Sequence, residues 1–164
     1  MIIKNISGLI FYTQPQPVCK PISNELFTLI GNHSYTGLFK NKQDKSFYFF
    51  KITIPNGYKW DKRTIPKIFR CLRSKDGLVE LSALIHDFLY ETKGGKNIIF
   101  GELKFYHLEL LKKTRLFNVY FSRKVCDQIY REIYKVMDKK NNTANQDYFW
   151  LRLFGRFYWG RKVL

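Results

Sequence analysis

The sequence has no apolar run long enough to cross a bilayer, which takes roughly 18 residues. The longest runs have four residues, as in Phe47-Tyr48-Phe49-Phe50, which Lys51 follows directly. The first residues also lack the basic start, the long apolar stretch and the small-residue cleavage site of a signal peptide. We therefore expect a protein that has no transmembrane segment and is made and kept inside a cell.

Cysteine is scarce. The three cysteines, Cys19, Cys71 and Cys126, are odd in number and lie far apart. They form neither a CxxC pair nor a spacing typical of metal ligands, so we expect buried, reduced thiols.

Acidic residues are few relative to basic ones. The chain has 29 Lys and Arg against 13 Asp and Glu, a net charge of +16. Residues 1–100 hold 15 basic and 7 acidic side chains, and residues 101–164 hold 14 and 6, so the excess is +8 in each part and is not gathered into a tail. Such a field attracts polyanions: nucleic acid, anionic lipid headgroups or acidic protein surfaces. The alternative is a lysine-rich composition that only keeps the protein in solution.

The length of 164 residues suits one domain, and a hydrophobic content of 45% suffices for a packed core. Residues 46–54 are aromatic and β-branched, which predicts a strand. Asn41 to Lys45 and Pro55-Asn56-Gly57 predict turns on either side of it. Residues 35–39 predict a further short strand, and residues 26–30 either a strand or a helical turn. The first 60 residues therefore predict a small antiparallel sheet.

Later segments carry apolar residues at helical spacing. The predicted helices cover residues 64–73, 78–91, 98–116, 122–137 and, as a last aromatic helix or turn, 149–158, with a polar loop over 141–145. Strands first and helices after predict an α+β fold. We expect a single domain over residues 1–164, mainly strand over about 1–60 and mainly helix over about 64–160. Its architecture would be a small N-terminal antiparallel sheet followed by a bundle of three to four helices.

The helix over 78–91 contains the run His86-Asp87-Phe88-Leu89-Tyr90. His86 and Tyr90 are four residues apart and share a helix face, while Asp87 projects about 100° away. Burial of an imidazole and a carboxylate without hydrogen-bond partners would cost roughly several kcal/mol. We therefore expect both groups to have such partners. Asp61, on the predicted loop before the first helix, is an obvious one. The other candidates nearby in sequence are Glu91, Glu102 and His107.

Two chemical roles fit these residues. In the first, a carboxylate orients His86, which acts as a general base and activates water for hydrolysis. In the second, Asp61, His86, Asp87 and Glu102 form a mixed nitrogen and oxygen site for a divalent metal. The structural alternative is a satisfied packing network in which His86 donates to a carboxylate and Tyr90 completes it.

Two segments resemble the motifs of a protein family. Residues 54–69, Ile-Pro-Asn-Gly-Tyr-Lys-Trp-Asp-Lys-Arg-Thr-Ile-Pro-Lys-Ile-Phe, are similar to the pattern VPxGFxTDxASxPRxF. Residues 83–90, Ala-Leu-Ile-His-Asp-Phe-Leu-Tyr, are similar to AxxHDxLY, and residues 101–105 align with a third motif, ADxxF, at the head of the next helix. These patterns are typical of domain of unknown function 1353, and the resemblance covers roughly residues 46–155.

The resemblance implies that Asp61, His86, Asp87 and Tyr90 form one site, with Glu102 in place of the family's third Asp. Trp60 and Lys62-Arg63 make the first motif bulkier and more basic than the family pattern. The family context also implies a phage or prophage origin, and hence a protein of the host cytoplasm or the virion.

Two functional hypotheses follow. The first is a small phage-type hydrolase, metal-assisted or not, with His86 as base and with Asp61 and Asp87 as orienting carboxylates or ligands. Glu102 and Tyr90 would complete its network. The second is a non-enzymatic basic accessory or virion protein that binds nucleic acid or an acidic partner.

The C-terminal segment alternates basic and aromatic residues. Cations and rings in alternation can hold phosphates and stack bases. Phe149, Leu153 and Phe157 are equally at helical spacing, which favours a core-facing side. The sequence sets neither the substrate nor the oligomeric state.

Overall fold

The computed structural model describes residues 1–12, 18–23, 26–61, 80–99, 101–109, 112–138 and 141–160. The helix predicted over residues 64–73 and the thiol of Cys71 lie outside these ranges. Of the other two cysteines, Cys126 is buried and Cys19 half-buried, and both are free thiols.

The described ranges contain ten strands, three α-helices and one short 3-10 helix. In chain order the strands are β1 (Ile2–Ile3), β2 (Ile6–Tyr12), β3 (Cys19–Pro21), β4 (Leu26–Leu29), β5 (His33–Asn41), β6 (Phe47–Ile54), β7 (Lys59–Asp61), β8 (Glu102–Glu109), β9 (Lys112–Leu116) and β10 (Tyr120–Phe121). The helices are α1 (Glu80–Glu91), α2 (Arg123–Asp138), α3 (Asn141–Phe154) and the 3-10 helix Gly155–Phe157.

The strands form three sheets. The largest is a five-stranded antiparallel sheet in the order β2-β5-β6-β8-β9. A three-stranded antiparallel sheet has the order β3-β4-β7, and β1 pairs in parallel with β10. The segment 26–30, which the sequence left open between strand and helical turn, is strand β4.

Strand β6 lies at the centre of the large sheet and confirms the strand predicted over residues 46–54. Alternate side chains of a strand point to opposite faces. Tyr48, Phe50, Ile52 and Ile54 are accordingly buried, whereas the side chains between them are exposed or half-buried. One face of the sheet therefore covers the core and the other lies outside it.

Helix α1 lies in the core. Every residue from Leu81 to Tyr90 is buried, so the helix is enclosed on all sides. It packs against α2 and against β7, whose Trp60 is also buried. The structure thus places the His86-Asp87 run in the most enclosed part of the described chain.

The helix predicted over residues 98–116 is wrong. Residues 102–109 form β8, which pairs with β6, and residues 112–116 form β9, which pairs with β8. Gly101 precedes β8 with a positive φ of 80°, and a Cβ there would lie 2.5 Å from the backbone oxygen of Thr53. Glycine is unfavourable inside a helix, and pairing with β6 outweighs the local apolar spacing.

The polar loop predicted over residues 141–145 is also wrong, because α3 begins at Asn141. The core-facing side of α3 consists of Ala144, Asp147 and Leu151, which are buried. The predicted core face is instead exposed: Phe149 by 55%, Leu153 by 47% and, on the 3-10 helix, Phe157 by 51%. Residues 149–154 are helical as predicted, but the buried side of α3 is the one that carries Asp147.

The predicted helical bundle is therefore wrong. The chain has α+β content, but its described part is mostly β-sheet with three α-helices, two of them near the C-terminus. In these ranges no helix combines the length and the apolar character that crossing a membrane would require.

Candidate functional site

His86 and Tyr90 lie on one side of α1, as their spacing predicts. Their ring centroids are 4.0 Å apart. His86 is 1% exposed and Tyr90 5%. Two polar groups at this depth need hydrogen-bond partners from a neighbouring element.

Asp127 of α2 is that partner. His86 Nε2 lies 3.2 Å from Asp127 Oδ1, and Tyr90 Oη donates to the same oxygen at 2.5 Å. Arg152 Nη1 of α3 donates to the other oxygen, Oδ2, at 2.8 Å, and Arg123 Nη1 lies 3.7 Å from it. Asp127 is itself fully buried. We call His86, Tyr90, Arg123, Asp127 and Arg152 the Asp127 cluster.

The C-terminal part of the chain encloses this cluster. Arg123 donates to the backbone oxygens of Leu151 and Arg152, at 3.0 and 3.3 Å, near the end of α3. Unpaired carbonyls at a helix end need such donors. A Cβ on Gly155 would lie 2.2 Å from Tyr90 Oη, so the backbone passes directly over the hydroxyl. The cluster is therefore closed on this side by α3 and the turn after it.

The predicted carboxylates are arranged differently. Asp87 Oδ1 lies 3.9 Å from His86 Nδ1, which is too long for a hydrogen bond. Asp61 is the last residue of β7, where its backbone pairs with Leu26, rather than part of a loop. Its side chain lies outside the described part of the structure, so its role in the site stays a prediction.

Glu102 lies at the start of β8 and not at the head of a helix. Its carboxylate contacts Lys104 Nζ at 2.6 Å and Arg115 Nη2 at 3.9 Å, on the face of the sheet that lies outside the core. The other two candidates also have partners elsewhere: Glu91 accepts a hydrogen bond from Tyr58 at 3.1 Å, and the His107 ring lies 5.1 Å from that of Tyr48.

No group of three His, Cys, Asp or Glu side chains among the described residues could hold a metal ion. The predicted metal site includes Asp61, whose side chain lies outside the described part of the structure, so this hypothesis remains a prediction.

The cluster shifts the pKa values of its members. Burial alone would lower the pKa of His86, but the neighbouring carboxylates of Asp127 and Asp87 outweigh it and raise this pKa above its ordinary value of 6.5. Burial would raise the pKa of Asp127, and the hydrogen bonds from His86, Tyr90 and Arg152 reverse this and lower it. Burial and the charge of Asp127 both raise the pKa of Tyr90. The carboxylates of Asp127 and Asp87 therefore favour the protonated form of His86 more than water does for a free imidazole.

This pair predicts a pH-dependent stability. A histidine whose pKa is raised by folding stabilises the fold fully below the unfolded-state pKa of 6.5, and this contribution is lost as pH rises through the folded-state pKa. We expect the NMR titration of the His86 ring to have a midpoint above 6.5. Urea unfolding should accordingly show a lower free energy of unfolding in mildly alkaline than in mildly acidic buffer. The variants His33→Gln and His107→Gln identify the other two imidazole signals, and a His86 midpoint at or below the ordinary value would contradict the expectation.

A second candidate surface lies on the side of the five-stranded sheet that faces away from the core. Residues paired directly across antiparallel strands share a face. The register therefore places one set of side chains together on this side. We call this surface the outer face; besides small polar residues and Leu38, its described members on β5, β6, β8 and β9 are Lys40, Phe47, Phe49, Lys51, Glu102, Lys104, Tyr106, Leu108 and Arg115.

The outer face is basic. Lys40, Lys51 and Lys104 are half-buried and Arg115 is exposed. Among these described members, Glu102 is the one acidic residue. Four cations against one carboxylate give this face a net positive charge.

Comparison with known protein families gives a match that includes residues of both the Asp127 cluster and the outer face. A family model described as a protein of unknown function, DUF1353, matches residues 39–150. The chain belongs to this family. No curated protein and no solved structure matches it.

The matched DUF1353 region contains the Asp127 cluster except for Arg152, and all the named residues of the outer face. It runs from near the end of β5 into α3 and includes His86 and Asp127, but it ends just before Arg152. The family resemblance read from the sequence is thus confirmed.

Proposed function

We propose that this DUF1353 protein is a non-enzymatic basic protein that binds nucleic acid through the outer face of its large sheet. The observation that carries the proposal is the charge of that face, where Lys40, Lys51, Lys104 and Arg115 stand against Glu102. Cations arrayed on one surface neutralise phosphates and release their counterions, which is the main source of non-specific affinity for nucleic acid. The net charge of +16 adds long-range attraction to the same ligand.

In this proposal the Asp127 cluster is structural. Both Asp127 oxygens are occupied, and the histidine that would serve as a base is 1% exposed. A catalytic base has to reach its substrate within hydrogen-bond distance. Burial at this depth therefore favours a role in joining α1, α2 and α3. An accessory or virion protein of a phage is the biological setting we propose, in line with the family resemblance.

Fluorescence anisotropy with a labelled single strand and a labelled duplex tests the proposal. With four phosphate contacts, the affinity should fall about 50- to 150-fold between roughly 50 and 200 mM salt. The triple variant Lys40→Gln, Lys51→Gln, Arg115→Gln should bind more weakly, with a log–log salt slope reduced by about 2 to 3.

The matched control removes three exposed lysines elsewhere, through Lys4→Gln, Lys20→Gln and Lys96→Gln. Both triple variants lose the same charge, so bulk attraction falls equally in the two. Equal weakening by both variants would refute the outer face as the binding surface. The absence of binding to either probe at low salt would refute nucleic-acid binding itself.

Hydrolysis is a second candidate function, and one observation favours it. His86 Nδ1 is buried and has no hydrogen-bond partner among the described residues, while Nε2 faces Asp127. An imidazole oriented by a carboxylate with its other nitrogen unoccupied is the arrangement of a general base. The titration of His86 bears on this candidate, because an imidazole with a midpoint well above neutral pH is protonated there and cannot accept a proton.

A further inference from the structure

We propose that the outer face is a site for single-stranded nucleic acid, in which unpaired bases stack on aromatic rings while the cations hold the phosphates. This inference rests on the proposed function and names its ligand class. It is carried by the positions of the rings on the face, independently of the number of charges.

Three aromatic side chains lie next to one another at the centre of this face. Phe47 and Phe49 are two residues apart on β6, a separation of about 7 Å along the strand. Tyr106 of β8 is directly opposite Phe49, and their ring centroids are 5.9 Å apart with an interplanar angle of 57°. Phe47 is 49% exposed. An aromatic ring that is half open to solvent on a sheet offers a platform for a base.

The cations flank these rings. Lys40 is opposite Phe47, with its Nζ 5.6 Å from the ring centroid. Arg115 is opposite Tyr106 on the other side. Lys51 and Lys104 face each other one position further along the strands. Each ring is therefore within reach of a positive charge, which is the pattern expected where bases and phosphates alternate.

The geometry favours a single strand over a duplex. In a duplex the bases are stacked on one another and their faces are unavailable, so ring stacking requires unpaired bases. Sheet surfaces that bind RNA or single-stranded DNA combine aromatic platforms with a positively charged surface in this way. A duplex could use the cations of the outer face but not its rings.

Three fluorescent probes of equal phosphate number separate these contributions: an oligothymidine strand, an oligothymidine–oligoadenosine duplex of half that length, and an abasic strand of the full length. The full-length protein should bind oligothymidine at least fivefold more tightly than either of the others, since stacking adds that much or more for each base. Phe47→Ala should weaken oligothymidine binding by about fivefold or more and leave binding to the abasic strand unchanged.

Phe157→Ala is the matched control. Phe157 has nearly the same exposure as Phe47, 51% against 49%, but lies on the 3-10 helix away from the sheet. This variant should bind oligothymidine like the wild type. Phe47→Trp should restore the affinity because indole also stacks on bases. Because Phe47 and Phe157 are about half exposed, we expect each variant to fold. Circular dichroism of each variant checks this.

Equal affinity for oligothymidine and the abasic strand would overturn the stacking proposal and leave the proposed function standing. Tighter binding of the duplex would do the same. Binding to phosphatidylglycerol vesicles that depends on Phe47, with no binding to any oligonucleotide, would overturn both.

Discussion

Replacement of Asp127 by alanine is expected to lower the free energy of unfolding by about 3 to 5 kcal/mol. The variant leaves His86, Tyr90 and Arg152 without the carboxylate to which all three bind. Removal of one partner of a buried charged network costs much more than the network itself contributes, because the remaining groups stay desolvated. Urea unfolding followed by circular dichroism measures the loss, which should also lower the melting temperature by roughly 10 °C.

Glu132→Gln is the control for this experiment. Glu132 lies on the same helix, and its Oε1 contacts Arg131 at 2.7 Å and Lys135 at 3.8 Å at the surface. A surface ion pair of this kind contributes less than about 1 kcal/mol. A loss for Asp127→Ala no larger than that of the control would mean that the Asp127 cluster does not stabilise the fold.

Replacement of Gly94 by alanine is expected to cost roughly 3 kcal/mol. Gly94 follows α1 with a φ of 70°, and its amide donates to the backbone oxygen of Leu89 at 2.7 Å. A Cβ would lie 2.0 Å from the backbone oxygen of Phe121, which belongs to the strand that leads into α2. Main chain cannot rotate aside as a side chain can, so the end of α1 would have to move away from β10.

Gly57→Ala separates the two contributions to this loss. Gly57 has a similar φ of 79° and also donates to a backbone oxygen, but a Cβ there would meet nothing within 4 Å. It should therefore show only the cost of a positive φ, about 1 kcal/mol. Equal losses in the two variants, measured by the same urea unfolding, would mean that the contact between Gly94 and Phe121 is not tight.

The local sequence predicts some elements of this fold well. Strand β6 is aromatic and β-branched except for Lys51, and α2 has apolar residues at helical spacing, so both were predicted within about a residue of their ends. Strand β8 was predicted as a helix because its apolar residues also match a helical period. Its pairing with β6, 49 to 61 residues earlier in sequence, decides the outcome, and Gly101 is the local signal against a helix.

The candidate site was predicted only in part. The spacing of His86 and Tyr90 places them on one face of α1, and the structure brings them together. Asp127, their shared partner, was missed because it lies 41 residues from His86 along the chain. One signal was present: Arg123 and Asp127 are four residues apart on a helix, and Val125 and Ile129 flank the acid with apolar positions. The outer face likewise depends on the register in which neighbouring β-strands pair. The residue pattern within one β-strand does not specify that register.

The parallel pairing of β1 with β10 constrains how this protein is made. Ile3 is fully buried, and its strand partner is Phe121, which the ribosome adds more than a hundred residues later. Loops this long close slowly and at an entropic cost. During synthesis β1 therefore stays unpaired and exposed until Phe121 has left the ribosome. The core around α1 is likewise completed only after Arg152 and Gly155 have been synthesised, so neither end of this domain can reach its native packing before the other is present.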